Sequence, residues 1–405
     1  MNKVFIASIC FFAAYIHATS EIVEHLAPCT FDHQSIAMKS SCNRPNRKGG
    51  PHIAIEHTEK QQIVHCYGHG GAGYTTLFGT VQEALELLMH TNPSLQEPIK
   101  VIGSGCVGLT MAIELRQKGF ANVSISTKAL YDIPSWCAGG FFEPGSGDEQ
   151  EPALQRKTRR ALSTFQVYHQ IEEGNHTYLA SQVIRRIPLY AHEEVKPGVE
   201  ILEKLQYMPQ RELVTLDFGN GVTHKNYVKY MTYFIDVAAF MKQLWAEVER
   251  LKIPVTIEEI RSLEDCSQKI VCNCAGLEGG MLAQDKKVYP LRGHYLLLND
   301  SVGDAHMNYI IYTQVLQDGK KEYVCFFPKN CMHTSAYPNG MACKGMFAGT
   351  FVLTSTIESE KELQAIDAAE LHKLEKRARE FFCGKDLSID SEGKKRLIGV
   401  SAQNN

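Results

Sequence analysis

The sequence lacks the features of a nucleic-acid-binding chain and of a disordered chain. Its 405 residues have a formal net charge of only -3 and no long basic run, so it offers little to a phosphate backbone. Hydrophobic residues make up 44% and charged residues 21%, an ordinary globular composition. The cysteines do not form the two Cys-x-x-Cys pairs that are typical of a zinc site. These absences favour a folded protein without a paired-cysteine zinc site, and they argue against nucleic acid as a partner.

Long apolar runs are also scarce, and the clearest one lies at the N-terminus. Lys3 precedes the apolar run Val4–Ile16, and small residues follow up to Ser20. The run is shorter than the roughly 20 residues that cross a bilayer, which favours a cleaved signal peptide over a membrane anchor. We therefore expect residues 1–20 to be removed, and a secreted or periplasmic mature protein without a membrane span. Its oligomeric state is not predicted.

A glycine-rich turn lies between a short apolar run and a helical pattern. Gly103-x-Gly105-x-x-Gly108 follows the strand-like Val101-Ile102, and a second strand is expected at 123–126. This context is typical of a Rossmann fold, where backbone amides and a helix N-terminus bind a pyrophosphate. The alternative is a purely structural glycine turn, and the motif alone does not separate FAD from NAD. The expected cofactor contacts in this turn are Gly103, Ser104, Gly105, Cys106, Val107 and Gly108.

The second strand ends without the acidic residue that usually binds the adenosine ribose. Ser126-Thr127-Lys128 stands there instead. Thr127 is expected to hydrogen-bond to the cofactor, and Lys128 to meet a phosphate.

A second glycine loop, at 68–75, precedes another helical pattern. Its backbone amides and Thr75 are suited to contacting a ligand. His69 within it is either a base or a buried structural residue, and the structural interpretation is favoured. Further along, strand-like runs between Tyr295 and Val352 predict an antiparallel sheet, and 358–382 predicts an amphipathic helix.

Several of these segments together resemble one enzyme family. The run 65–75, His-Cys-Tyr-Gly-His-Gly-Gly-Ala-Gly-Tyr-Thr, is similar to the signature of the D-amino-acid and D-aspartate oxidases. The segments 103–108, 137–140, 273–276, 290–293 and 349–351 are similar to other landmarks of that family. The resemblance covers roughly residues 41–402 and implies an α/β fold with a Rossmann-type FAD-binding domain and an antiparallel-sheet substrate domain.

The order of these landmarks differs from that of the family. Asn43-Arg44-Pro45 and the histidine-glycine loop close the family's chain, whereas here they precede the Gly103 fingerprint. The segment 395–402 resembles the part that directly precedes the Arg-Pro element. The sequence is therefore interpreted as circularly permuted, with the earlier termini joined through residues 90–99. The expected FAD-binding domain is 41–150 with 250–285 and part of 385–402, and the expected substrate domain is mainly 151–249 with 286–384.

The resemblance also implies roles for individual residues. Arg44 matches the carboxylate-binding arginine, with Arg47 as the alternative; the carbonyl of Gly71 receives the substrate amine; and Tyr323 is the one tyrosine matching the substrate strand. A second cation for acidic substrates would come from Arg292, Lys321 or Lys329. The further FAD contacts implied are Gly70, Gly71, Ala72, Gly73, Tyr74, Thr75, Ala138, Gly139, Gly140, Ile260 and Ala275.

The activity implied by the resemblance is oxidative deamination of a D-amino acid. Hydride would pass from the substrate α-carbon to FAD, molecular oxygen would take the electrons as hydrogen peroxide, and the imine would hydrolyse to a 2-oxo acid and ammonia. Two alternatives stay open. One is an amine or amino-acid oxidoreductase of another kind, including a dehydrogenase with another acceptor, and the other is a secreted flavin-binding protein without turnover.

Overall fold

The computed structural model describes residues 22–27, 35–144, 152–192, 199–299, 307–317, 320–355, 357 and 359–384. The predicted signal peptide and the predicted contribution of 385–402 lie outside these residues. None of the helices in the described ranges has the length and apolar character needed to cross a membrane. Elements are numbered along the chain.

The smaller sheet has six strands in the order β10-β6-β5-β11-β4-β3. Adjacent strands run parallel, except for the antiparallel pair β3–β4. The central strands β5 and β11 are short apolar runs with helices on the sheet, as expected for a doubly wound fold. The six strands are β3 (His52–His57), β4 (Gln62–Tyr67), β5 (Ile99–Ile102), β6 (Val123–Thr127), β10 (Val255–Ile257) and β11 (Ile270–Asn273).

The larger sheet has ten strands in the order β1-β8-β9-β7-β13-β14-β17-β12-β18, with β2 also paired to β12. It is mostly antiparallel, as predicted, but β1–β8 and β7–β13 are parallel. The strands are β1 (Ile22–His25), β2 (Ile36–Arg47), β7 (Ile184–His192), β8 (Glu212–Asp217), β9 (Thr223–Ile235), β12 (Val288–Leu298), β13 (Ile310–Gln317), β14 (Lys320–Phe327), β17 (Gly345–Gly349) and β18 (Val352–Leu353). A small hairpin pairs β15 (Cys331–Met332) with β16 (Met341–Ala342).

The helices differ in which sheet they accompany. They are α1 (Leu77–Met89), α2 (Cys106–Gln117), α3 (Pro134–Cys137), α4 (Ala153–Glu172), α5 (Glu200–Lys204), α6 (Val237–Arg250), α7 (Gly276–Leu282) and α8 (Glu360–Cys383). Helix α4 packs on α1, and α6 packs on α2, so both accompany the smaller sheet although they belong to the predicted substrate domain. Conversely, residues 41–47, assigned to the FAD-binding domain from the sequence, lie in the larger sheet.

Helix α8 is attached to the larger sheet by a charged cluster around Asp367. Two guanidinium nitrogens of Arg292 donate to this carboxylate at 2.7 Å, and Ser41 donates at 2.9 Å. His294 lies 2.8 Å from it. Burial raises the pKa of Asp367, but the hydrogen bonds from Arg292, His294 and Ser41 outweigh that effect and lower its pKa to about 2. The cluster therefore stabilises the fold in its ionised form.

Asp367→Asn is expected to destabilise the protein by about 1–2 kcal/mol at pH 7, after allowance for solvent screening. A carboxyl group whose pKa is lower in the folded state than in the unfolded state stabilises the folded protein at pH values above the unfolded-state pKa of about 4. This contribution is lost as the pH falls towards the folded-state pKa of about 2. Wild-type stability should thus decline over this window more steeply than that of the variant, as measured by urea unfolding at several pH values. Glu362→Gln, on the exposed face of the same helix, is the control. Parallel pH profiles for wild type and Asp367→Asn would contradict the expectation.

Candidate active site

The predicted glycine fingerprint forms the turn between β5 and α2. Gly103 has a φ of 106°, and a Cβ there would lie 2.6 Å from the carbonyl oxygen of Cys274. A Cβ on Gly108 would collide with the carbonyl oxygen of Gly103. Helix α2 begins at Cys106 with Gly105 as a side-chain-free N-cap. These are the tight turn, close approach and close packing that a dinucleotide-binding turn requires, so the turn fits a pyrophosphate.

Ser135 joins this turn to the second glycine loop and is absent from the sequence-based set. Its hydroxyl accepts a hydrogen bond from the amide of Cys106 at 2.9 Å. Its carbonyl accepts one from the Tyr74 hydroxyl at 2.8 Å. Ser135 therefore lies at the N-terminus of α2, where a phosphate would bind. The sequence marks Ser135 as a candidate site residue only through its position just before the run 137–140.

Thr127 and Lys128 do not extend freely towards a ligand. Thr127 is buried, lies 2.8 Å from the Ser104 hydroxyl, and donates to the carbonyl of Ala129 at 2.9 Å. Lys128 is largely exposed and pairs with Glu259 at 3.3 Å. Their predicted contacts with the cofactor remain predictions.

Carboxylates reach the end of β6 from the neighbouring strand. Glu258 follows β10, and its carboxylate accepts a hydrogen bond from Ser126 at 2.6 Å. Glu259 is adjacent, and Ile260 packs on the apolar cluster that includes Ile102. Because β10 pairs with β6 in parallel, both acids lie at the edge where a ribose would bind. Sequence reasoning missed them since they come about 130 residues after β6.

The second glycine loop runs from β4 to α1 and lies against β2. The amide of Gly70 donates to the carbonyl of Pro45 at 2.7 Å. Gly73 is open, since a Cβ there would meet nothing closer than the Cys106 sulfur at 4.0 Å. His69 is buried, with its ring 3.2 Å from the Thr80 hydroxyl, which is the structural role favoured from the sequence. The amide of Ala72 is bonded to the His69 carbonyl at 3.0 Å.

Arg44 and Gly71 are brought together, as the resemblance implied. A Cβ on Gly71 would lie 2.7 Å from a terminal guanidinium nitrogen of Arg44. The guanidinium also lies over the Phe351 ring, 3.7 Å from its centroid. Burial lowers the pKa of Arg44, and nearby groups including Tyr312 and Glu143 oppose that shift. The guanidinium of Arg44 stacks on the Phe351 ring and lies beside Gly71, which has no side chain. This arrangement is well suited to hold a carboxylate in a fixed plane.

The other candidate cations have different positions. Arg47 forms an ion pair with Asp285 at 2.6 Å, and Arg292 is bound to Asp367. Lys329 is buried and donates to two backbone carbonyls. The side chain of Lys321 lies outside the described residues. Arg44 is therefore the better placed of the two arginines proposed as the carboxylate clamp.

Strand register places the remaining candidates on one face of the larger sheet. Tyr312 of β13 pairs with Cys325 of β14. Tyr323 lies two residues before Cys325 on β14, so the side chains of all three residues share one face of the sheet. The rings of Tyr312 and Tyr323 stack 5.6 Å apart with an interplanar angle of 18°. Burial raises the pKa of Tyr312, and the positive charge of Arg44 partly offsets this rise. Tyr312 was missed because the sequence marks it only as part of a strand.

The segment after α3 lies over this face. A Cβ on Gly139 would touch the Phe327 ring at 3.0 Å, and Gly140 has a φ of 76° and no room for a Cβ beside the carbonyl of Ile235. The Phe141 ring lies 5.3 Å from Phe327 and 6.1 Å from Tyr312. Ala275 lies at the other edge of the site, with its Cα 3.1 Å from the position of a Cβ on Gly103. Both segments thus border the region between the two sheets.

The side chain of Lys329 hydrogen-bonds to the end of α3 and to the segment that follows it. Its ammonium donates to the carbonyls of Trp136 and Ala138, each at 2.9 Å. Burial lowers the pKa of Lys329. The ammonium therefore fixes the backbone immediately before Gly139.

Lys329→Met is expected to destabilise the protein by about 2–4 kcal/mol and to weaken FAD binding, because two buried carbonyls lose their donor. Thermal unfolding and fluorescence titration with FAD measure the two effects. Lys242→Met is a control at a less buried lysine. Unchanged FAD affinity in a folded Lys329→Met protein would show that the ammonium does not position this segment.

The described residues fit a flavin dinucleotide better than a metal. No three or more His, Cys, Asp or Glu side chains are grouped as metal ligands within the described ranges. The glycine turn supplies a phosphate site, and Ala138–Gly140 with residues 70–75 border the space beside Arg44. All of these come from the set predicted from the sequence.

Comparison with known proteins agrees with this assignment. The family model described as DAO, FAD dependent oxidoreductase, matches residues 99–395. D-aspartate oxidase 1 of Caenorhabditis elegans is 24% identical over 218 residues, which cover 52% of this chain and 63% of that protein. D-aspartate oxidase 2 of the same organism is 28% identical, over 53% of this chain and 64% of that protein. The chain thus spans less than two-thirds of the length of these relatives.

Among solved structures, a partial match is found to iminodiacetate oxidase from Chelativorans sp. BNC1. It has a TM-score of 0.42 and 11% identity, and the match covers 67% of this chain and 77% of that chain. Amadoriase I, a fructosyl amine:oxygen oxidoreductase from Aspergillus fumigatus, has a TM-score of 0.40 and 13% identity, with 63% of each chain covered.

Proposed function

Since this chain belongs to the DAO family of FAD-dependent oxidoreductases, we propose that it catalyses oxidative deamination of a D-amino acid with molecular oxygen as acceptor. The products would be a 2-oxo acid, ammonia and hydrogen peroxide. The position of Arg44 beside Gly71 and Phe351 is the observation that carries the proposal. The curated relatives named D-aspartate oxidases are consistent with an amino-acid substrate.

The roles of the protein's own residues follow from the geometry. Arg44 binds the substrate carboxylate through two parallel N–H donors, and Phe351 keeps the guanidinium in its plane. The carbonyl of Gly71, next to Arg44, accepts a hydrogen bond from the substrate amine. These two anchors fix the α-carbon and its hydrogen relative to the segment 138–140. Selectivity for one enantiomer needs a third point: if the α-hydrogen must also face bound FAD, only one enantiomer would place its side chain on the side of Tyr312 and Tyr323.

Bound FAD supplies the redox chemistry by accepting a hydride from the substrate α-carbon. The β5–α2 turn with Ser135 would hold its pyrophosphate, and Glu258 or Glu259 would bind its ribose. Residues 70–75 and 138–140, with Ala275, would enclose the ring system. The aromatic side chains of Tyr312, Tyr323 and Phe141 exclude water from the substrate side.

Anaerobic visible spectroscopy tests the proposal. The full chain loaded with FAD is mixed with D-amino acids and then with the L-enantiomers in the absence of oxygen. We expect the D-enantiomers alone to bleach the flavin bands, and air to restore them with formation of hydrogen peroxide. Bleaching by D-amino acids without recovery in air would indicate a dehydrogenase with another acceptor. Flavin bands unchanged by every amino acid would refute the proposal.

We also propose that the chain order is circularly permuted relative to the family and that the enzyme is exported. Support for the permutation comes from topology: β4 pairs in parallel with β11, and α1 leads to β5 through residues 90–98. Strand β2 is bound to α8 through Lys39 and Glu375 at 2.6 Å. Elements at the two ends of the described chain are therefore neighbours in space. The predicted signal peptide supports export.

A further inference from the structure

Asn46 lies two residues after Arg44 on β2, and the proposed reaction assigns it no role. Because alternate residues of a strand share a face, both side chains project from the same face of β2. The backbone of Asn46 forms a β-bridge with His69, and the amide of Gly70 donates to the carbonyl of Pro45 at 2.7 Å. The second glycine loop therefore runs alongside this end of β2, next to the carboxylate clamp.

The two side chains contact consecutive glycines of that loop. A Cβ on Gly70 would collide with the amide oxygen of Asn46 and would lie 3.1 Å from its Cγ. A Cβ on Gly71 would lie 2.7 Å from a terminal guanidinium nitrogen of Arg44. The amide oxygen of Asn46 thus faces Gly70, and its nitrogen is directed away from this glycine. The amide and the guanidinium occupy adjacent positions along the loop.

The amide nitrogen of Asn46 is a buried donor without an acceptor. It has no hydrogen-bond partner among the residues that the structure describes. An unpaired buried N–H lowers stability, because the group has lost its water and gained no acceptor. The amide of Asn43, on the opposite face of the same strand, is paired, since its oxygen accepts a hydrogen bond from Arg292 at 3.2 Å. The unpaired donor at Asn46 is explained if its acceptor belongs to a bound molecule.

A substrate carboxylate on Arg44 has acceptor capacity to spare. Its two oxygens offer about four lone-pair sites, and the two parallel donors of the guanidinium use two of them. The Cα atoms of same-face neighbours on a strand are roughly 7 Å apart. A carboxylate can bridge such a spacing with a hydrogen bond of about 2.9 Å on either side. The position of Asn46 beside the clamp therefore favours a carboxylate oxygen as the acceptor.

We infer that Asn46 is a further substrate-binding residue, whose amide N–H donates to the carboxylate that Arg44 holds. This inference rests on the proposed deamination and adds a third donor to its substrate site. The two donors of Arg44 lie in one plane, and a donor from another residue fixes the tilt of the carboxylate within the site. The position of the α-carbon is fixed with it.

Binding of benzoate, a carboxylate without an α-amine, tests the inference on the full chain loaded with FAD. The titration is followed by the change in the visible flavin spectrum. Asn46→Leu removes the amide at nearly constant volume and should weaken benzoate binding by about 10-fold or more. It should raise KM for the D-amino acids that reduce the flavin by a similar factor, with kcat changed less than about threefold. Asn46→Asp places a negative charge beside the carboxylate and should weaken benzoate binding by about 100-fold or more.

The melting temperature provides an independent readout. Because Asn46→Leu removes an unpaired buried donor, the variant without benzoate should melt about 2 °C or more above the wild type. Asn43→Leu is the matched control. It deprives Arg292 of one acceptor, so it should melt lower than the wild type and bind benzoate normally.

Two results would overturn the inference and leave the proposed activity intact. A lower melting temperature with normal benzoate affinity in Asn46→Leu would make Asn46 a structural residue. Weaker FAD binding with normal benzoate affinity, measured by fluorescence titration, would place the amide on the flavin. Conversely, if no amino acid reduces the flavin, the proposed deamination fails, and the benzoate titration still decides whether Asn46 binds a carboxylate.

Discussion

Arg44→Leu is expected to lower kcat/KM by about 30- to 3,000-fold, because loss of one partner of a buried charge pair costs roughly 2–5 kcal/mol. The effect should appear mainly in KM if the guanidinium binds ground and transition states alike, and also in kcat if it orients the α-carbon. Arg44→Lys restores the charge but not the planar pair of donors, so recovery should be partial. FAD affinity should remain unchanged, as measured by fluorescence titration.

Arg47→Lys is the matched control on the same strand. Arg47 is bound to Asp285 and should have little influence on KM. Equal losses of kcat/KM in the two lysine variants would mean that β2 acts only as a structural strand. A normal KM in a folded, flavin-loaded Arg44→Leu protein would remove Arg44 from the carboxylate site.

Gly103→Ala is expected to abolish FAD binding at micromolar cofactor and to lower stability by several kcal/mol. Two costs add: the φ of 106° is strained for any residue with a Cβ, on the order of 1–3 kcal/mol, and the new methyl group would lie 2.6 Å from a backbone oxygen. Relief requires β5 and α7 to move apart, which displaces the turn that binds the pyrophosphate. Fluorescence titration and thermal unfolding measure both effects.

Gly174→Ala separates these two causes. Gly174 also has a positive φ of 74°, but its missing Cβ would meet nothing within 4 Å. This variant should show a modest loss of stability and normal FAD binding. If Gly103→Ala also shows only a modest loss of stability and normal FAD binding, the close contact with Cys274 does not determine the conformation of the turn.

The sequence predicted those parts of the site that are local in the chain. The Gly103 turn, the loop 68–75 and the helix near 358–382 each consist of neighbouring residues, and each formed where expected. Arg44 was identified through its resemblance to a motif. In each case, the signal consists of residues that are contiguous in the chain.

The parts that were missed depend on strand pairing between distant segments. Tyr312 joins the site because β13 pairs with β14, and Glu258 reaches the edge of β6 because β10 lies beside it. The residues around Tyr312 do not indicate which face of β13 points to the site, because a shift of one residue in strand register would turn the side chain of Tyr312 to the opposite face. Residues 41–47, which the sequence assigned to the FAD-binding domain, likewise take their place through distant pairing, because β2 pairs with β12 of the larger sheet.

The pairing of β2 with β12 also has a consequence for synthesis. Ser41 contacts Arg292 across 251 positions, and His65 contacts Asn273 across 208. At ribosomal speeds of roughly 5–20 residues per second, β2 emerges on the order of 10–50 s before its partner β12. During that interval β2 and β4 have open edges, and long-range pairing of this kind is slow. Newly made chains should therefore require protection from aggregation until β11 and β12 have been translated.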